Sequence, residues 1–314
     1  MSWGAALVAS LTSALDRPRW WALALAGFLL RGGLLVFLVP IVILPTPAGL
    51  ANAIAPTLVG FVFGSPSDSF IALVVGFAVS ITLWLILGGL LAAWIEVGLV
   101  SEVAEIVVPG LTAAARSGLA WRALLVRLAS HLPLAIALAW GVARLVDAIY
   151  TELITSGNVV VPIVVRVALR IPEVIVLTLL AWLAGEAAGG LAVRHLVLDV
   201  PPSAGRALAR GWRDLAVRPT SLATLLATSL VVLLVGAPAA AAAGFAWERV
   251  RIALSGSPEI VAALSIGSFV SIWLAGLALV SAAVAWRSAA WTLEAARRRI
   301  PGGAIRHAGD LEAV

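Results

Sequence analysis

The sequence predicts an all-α, polytopic membrane protein, with six transmembrane helices arranged as three repeated helical hairpins, each preceded by an interfacial helix on the cytoplasmic side. Three observations carry that expectation. Of 314 residues, 62% are hydrophobic and 12% charged, and mean hydropathy is +1.09, a composition that makes the bilayer the solvent. Six apolar stretches, each of about 20 residues or more and so able to cross roughly 30 Å of hydrocarbon, leave little chain for a soluble domain. Finally, Trp121-Arg122-Ala123-Leu124-Leu125-Val126-Arg127 returns 91 residues later as Trp212-Arg213-Asp214-Leu215-Ala216-Val217-Arg218, each copy just ahead of an apolar run.

Along the chain, Trp3, Leu7, Leu11 and Leu15 stand four apart with Ser10, Thr12 and Ser13 between them, the spacing of a short amphipathic helix lying in the interface. Asp16-Arg17-Pro18-Arg19 ends it, and Trp20-Trp21 opens the first span, about 21–44. Ala51-Asn52-Ala53 mimics a signal-cleavage site, but a signal that long would be anomalous. A Pro- and Gly-bearing connection over 45–68 leads to the second span, about 69–95, which leaves through Glu96, read as interfacial, into a segment holding Glu102, Glu105 and Arg116. The third span, about 124–144, begins inside the first Trp-Arg motif and carries His131. Residues 145–171 hold a turn at Ser156-Gly157-Asn158, and their last part, 159–171, reads as a re-entrant or interfacial element around Pro162. The fourth span, about 172–193, contains Gly185-Glu186-Ala187-Ala188-Gly189, a GxxxG pattern suited to close helix packing. Asp199–Arg210 is a second interfacial segment. The fifth span, about 219–246, is uncharged, with a kink expected at Pro238, and the sixth covers about 260–286. An Arg-rich tail, Arg297–Arg299 and Arg306, follows.

Other landmarks keep the same spacing: Trp20 and Trp212 are 192 apart, as are Gly64 and Gly256, and Trp182-Leu183-Ala184-Gly185 returns 91 later at Trp273. The chain therefore reads as a single transmembrane domain, 1–314, of three units, about 1–100, 101–200 and 201–314. With an even number of spans per unit, all three share one orientation. Fifteen of the 21 basic residues then fall on one side, five on the other, and Arg31 within the first span, so the positive-inside rule puts both termini and the Trp-Arg motifs in the cytoplasm.

Those motifs suit a membrane surface. A tryptophan ring has an apolar body and one N–H donor, and an arginine beside it reaches phosphate while its stem stays apolar. Trp121, Arg122, Arg127, Trp212, Arg213 and Arg218 are therefore candidate contacts for anionic lipid headgroups or a partner protein. Arg122 and Arg127 are five residues apart, some 140° around a helix, so one helix cannot form a tight phosphate clamp. Such a site needs arginines from different repeats. Within the spans, Arg31 and Glu186 form a candidate intramembrane charge pair, because a charge there is costly unless matched.

Enzyme signatures are lacking. All 21 basic residues are arginine, so a Walker A loop has no lysine; neither H-E-x-x-H nor G-x-S-x-G occurs. With no cysteine and three scattered histidines, no metal site or cofactor is expected, and no module suits nucleic acid. The order of interfacial helix, Arg-and-Trp entry such as Ala209-Arg210-Gly211-Trp212-Arg213, then hairpin resembles a loose group of six-helix prokaryotic membrane proteins. That group includes the membrane domain attached to some glycerophosphodiester phosphodiesterases; no phosphodiesterase domain is present here, and no site residue carries over. The functional expectation is a non-enzymatic component of the cytoplasmic membrane that organises anionic lipid, a protein partner or a homo-oligomer through its Arg/Trp-rich face. The alternative is a transporter or lipid-handling permease with a site near Arg31 and Glu186.

Overall fold

The computed structural model describes residues 2–38, 41, 60, 64, 68–107, 117–155, 161, 163–199, 203–256 and 258–296. Among these residues there is no strand, and six helices are long and apolar enough to cross a membrane: α2 (Pro18–Leu38), α3 (Phe70–Ile106), α5 (Leu132–Glu152), α7 (Pro172–Leu198), α9 (Pro219–Leu254) and α10 (Glu259–Ala296). Shorter helices are α1 (Trp3–Leu15), α4 (Ser117–Ser130), α6 (Ile163–Arg170) and α8 (Ala204–Val217). Much of α3 turns apolar side chains outward, with Leu73 69% and Phe77 67% exposed. A contiguous surface of that kind belongs in lipid rather than water. The chain thus has the architecture of a multi-pass membrane protein. Arg116, Arg297–Arg299, Arg306 and most of the 45–68 connection lie outside the described residues.

Helix boundaries depart from the hydropathy runs in an instructive way. The first Trp-Arg motif does not open a span: it lies on α4, which ends at Ser130, and α5 starts afresh after His131. Pro133 is the reason, since proline fits the first turn of a helix but removes a donor from its interior. Pro18 and Pro219 occupy the same early position in α2 and α9. By contrast, α9 runs on through Pro238, and α3 and α10 each extend about ten residues past the end of their apolar runs. Residues 163–170 form an amphipathic helix with Val167 buried.

The described chain forms two compact units. Unit 1 draws on 1–42, 88–129 and 187–314, and unit 2 on 43–87 and 130–186, boundaries that do not follow the three sequence segments. In unit 2, α5 packs against α6 and the residue that follows it through Ala148, Val167 and Ile171, and Glu152 bridges Arg166, at 3.1 Å, and Arg170. Gly185 of the GxxxG pattern sits against Ser130 and His131, close enough that an added Cβ would lie 2.9 Å from the Ser130 carbonyl oxygen.

Unit 1 is built on α9 and α10, which lie antiparallel: Thr220 pairs with Glu294, Trp291 with Thr228, and Gly276 sits on Ala239. Tryptophan donors fasten α1 and α2 to this pair. Trp286 donates to the Leu7 carbonyl at 3.1 Å and to Ser10 at 3.0 Å, Trp3 to Thr224 at 2.9 Å, and Trp21 to the Ala14 carbonyl at 2.7 Å. Each meets an otherwise unsatisfied indole N–H, so the rings fix register as well as filling space. On the other side, α8 docks on α7 because Gly211 lies directly against the Ala188 carbonyl and Ala192, and His195 Nε2 meets Asp214 Oδ2 at 2.9 Å. One element of unit 1 is bent. Residues Leu29–Gly33 of α2 form a π-turn in which Arg31 leaves helical geometry and Gly32 takes φ +99°, a conformation open to glycine at little cost.

Candidate functional site

The bend in α2 places Arg31 at the centre of unit 1's polar interior. There Glu96 of α3 is buried, 6% exposed, and meets three guanidinium groups. Arg127 of α4 takes both of its oxygens, Nη2 to Oε1 at 2.5 Å and Nε to Oε2 at 3.1 Å. Arg31 donates to Oε2, and Arg194 Nη1 of α7 lies 3.3 Å from Oε1. A two-pronged arginine–carboxylate contact is among the stronger charge-assisted arrangements and fixes orientation as well as charge. In a dehydrated interior it also answers the cost of burying Glu96.

Arg194 is held from every side. Its Nη1 donates to the Gly190 carbonyl at 2.7 Å, its Nη2 to Ser288 Oγ at 3.1 Å, and its guanidinium lies 5.1 Å from the centre of the Trp291 ring. Arg287 lies over the same ring at 5.3 Å. Two cations share one indole, each within the reach of cation–π attraction. The ring comes this close to α7 because residue 190 is glycine; an added Cβ would run into it. Trp291 Nε1 is satisfied by Thr228 at 2.8 Å. Arg194 Nε, buried in the same place, has no hydrogen-bond partner.

A cavity of about 50 Å³ opens beside this cluster, with Arg31, Glu96, Arg194, Arg287, Ser288 and Trp291 on its polar wall. Leu23, Phe28, Ile95, Leu99 and Val284 are among the apolar residues that complete it. Three guanidinium groups thus line the cavity against one carboxylate, and that carboxylate is already held by Arg127. The cavity arginines come from the three different sequence segments, the condition set above for a phosphate site.

The sequence-derived candidates distribute as follows. Arg31, expected as one half of a charge pair with Glu186, meets Glu96, while Glu186 is half-buried in unit 2. Arg127 turns into the bundle, its side chain 12% exposed, instead of standing on the surface. Arg218, the residue just past the end of α8, lies 3.4 Å from Asp214 on that helix. Trp121, at 52%, Arg122 and Arg213 are exposed, and Trp212 is half-buried. Sequence reasoning did not find Glu96, Arg194 or Arg287 as a site. Glu96, Glu152, Arg194, His195, Asp214 and Glu294 are in fact all buried. The signal for Glu96 was its helical phase: Glu96, Val100, Val103 and Ala104 share one face, and all four are buried. Compared with known protein families, curated proteins and solved structures, the chain matches none of them.

Proposed function

We propose that this chain is a non-enzymatic integral protein of the cytoplasmic membrane that holds an anionic group, the phosphate of a membrane lipid, in the arginine-lined cavity of unit 1. The observation that carries the reading is Arg194, buried at that cavity with its Nε unpartnered and Arg31 and Arg287 on the same wall. Arginine forks are suited to phosphate oxygens, and the apolar part of the wall is suited to the hydrocarbon beyond a headgroup. In this reading both termini are cytoplasmic, the six spans are three related hairpins akin to the six-helix prokaryotic group, and the exposed Trp121, Arg122 and Arg213 anchor the cytoplasmic face. Adding an anionic phospholipid at about one hundred times its dissociation constant should then raise unfolding free energy by about 2.7 kcal/mol, whereas a zwitterionic lipid of the same chains should not. Equal stabilisation by both in a thermal or denaturant series would count against the reading.

A second reading is a transporter or permease with its site near Arg31, and with Glu186 as a further charge. It is favoured by the break in α2 at Arg31 and Gly32, since broken helices often build transport sites. Flux of a phosphate-bearing solute or lipid in proteoliposomes, lost in Arg31→Ala, would favour it over a static lipid site.

A further inference from the structure

Two hydrogen-bond donors at the cavity are buried and unspent, and they stand along one edge of one side chain. The first is Arg194 Nε–H, which finds no acceptor. The second is the hydroxyl of Ser288, a residue 7% exposed on the same wall. Its oxygen accepts from Arg194 Nη2 at 3.1 Å, but its hydrogen meets no acceptor among the described residues. Other buried helical hydroxyls are spent. Thr228 accepts from Trp291 and donates to the Thr224 carbonyl at 2.7 Å, while Ser101 and Thr292 donate to the carbonyls of Val97 and Ser288 at 2.7 and 2.8 Å. A buried donor left without a partner is costly, so both hydrogens call for an acceptor in the cavity.

Nε and Nη2 form the side edge of a guanidinium, an edge suited to a two-pronged contact with an oxyanion. Arg127 uses that edge for Glu96, Nε to one oxygen at 3.1 Å and Nη2 to the other at 2.5 Å. At Arg194 the Nη2 end holds the Ser288 oxygen and the Nε end is open. Packing fixes the arrangement: Nη1 is held by the Gly190 carbonyl at 2.7 Å, and the guanidinium carbon lies 5.1 Å from the centre of the Trp291 ring. We infer that Ser288 is a ligand-contacting residue, its hydroxyl and Arg194 Nε–H donating to two oxygens of one oxyanion, the chemistry shared by a lipid phosphate and free phosphate; this rests on the reading that the cavity holds an anion. Ser288 extends the Arg194 edge by one donor, and the pair recognises oxygens set on one centre rather than charge alone.

The test uses the full chain in maltoside micelles, with dioleoyl phosphatidylglycerol and inorganic phosphate as probes. Binding is read by native mass spectrometry and by the shift each probe adds to the melting temperature. Ser288→Ala should weaken whichever probe binds at least about tenfold, the loss expected for one hydrogen bond to a charged group. Ser288→Thr, which keeps a hydroxyl, should stay within about threefold of the unaltered chain. Ser101→Ala, which removes a buried hydroxyl bonded to its own helix, should leave affinity unchanged. Displacement of the lipid by inorganic phosphate would assign the oxyanion to a free source, and failure to displace it to a lipid; either supports the contact. A lower melting temperature in Ser288→Ala with affinity unchanged would mean that the serine merely holds Arg194, and would overturn the contact while leaving the anion site in place. Binding of neither probe to the unaltered chain would overturn the anion reading itself.

Discussion

Glu96→Gln lowers the stability of the protein by about 3–5 kcal/mol, the loss expected when one partner of a buried ion cluster is removed and the others stay behind. Arg127 and Arg194 are the reason: their side chains are 12% and 4% exposed, and neither can turn to water without breaking the packing of α4 or α7. Glutamine keeps the shape and one acceptor but no longer answers three positive charges. Denaturant unfolding in detergent micelles measures the loss. The comparison variant is Glu102→Gln, whose partner Arg19 is 77% exposed at 3.0 Å, and there the change should stay below about 1 kcal/mol. Similar losses at the two sites would mean that Glu96 is not buried among arginines as described. Because the variant leaves an anion-sized charge deficit, phosphate should restore more stability to Glu96→Gln than it adds to the unaltered protein.

Trp291→Ala has a comparable effect, about 3–5 kcal/mol, for a different reason. The ring is 3% exposed, packs directly on Gly190, carries Arg194 and Arg287 over it, and donates to Thr228. Removing it opens a void against α7 that the residue 190 backbone cannot fill, and it releases two cavity arginines at once. Trp291→Phe separates the parts: the aromatic surface stays, the Thr228 bond goes, and the loss should be only about 0.5–1.5 kcal/mol. If alanine and phenylalanine cost the same, the ring's role is its hydrogen bond rather than its packing.

What the sequence disclosed and what it hid follow from the same physics. Six apolar runs are legible because hydrocarbon thickness demands them. Their ends were less so, because a helix does not stop where apolar residues stop. At Glu96 the chain continues helical for another three turns, with Val97, Val100 and Val103 covered by neighbours, so a carboxylate read as leaving the membrane is folded into the bundle. The break before Pro133 could have been read, since proline early in a span behaves alike at positions 18, 133 and 219. The arginine cluster could not. Arg31, Arg127, Arg194 and Arg287 lie far apart in the chain, and only the packing of α2, α4, α7 and α10 brings them to one place. Arg127 shows the limit most plainly: its motif marked a membrane surface, yet on α4 it lies near the buried Ala123 and Val126 positions and reaches inward, while Trp121 and Arg122 point out.

The central claim, that the cavity and not the exposed Trp-Arg surface holds the anionic group, is tested most directly by native mass spectrometry of the protein released in its own membrane patches. Three proteins are compared: the unaltered chain, Arg31→Ala/Arg287→Ala in the cavity, and Arg122→Ala/Arg213→Ala on the surface. The account predicts a retained anionic lipid on the first and third and its loss from the second. Retention by the cavity variant together with loss from the surface variant would contradict it, and would return the function to the exposed face.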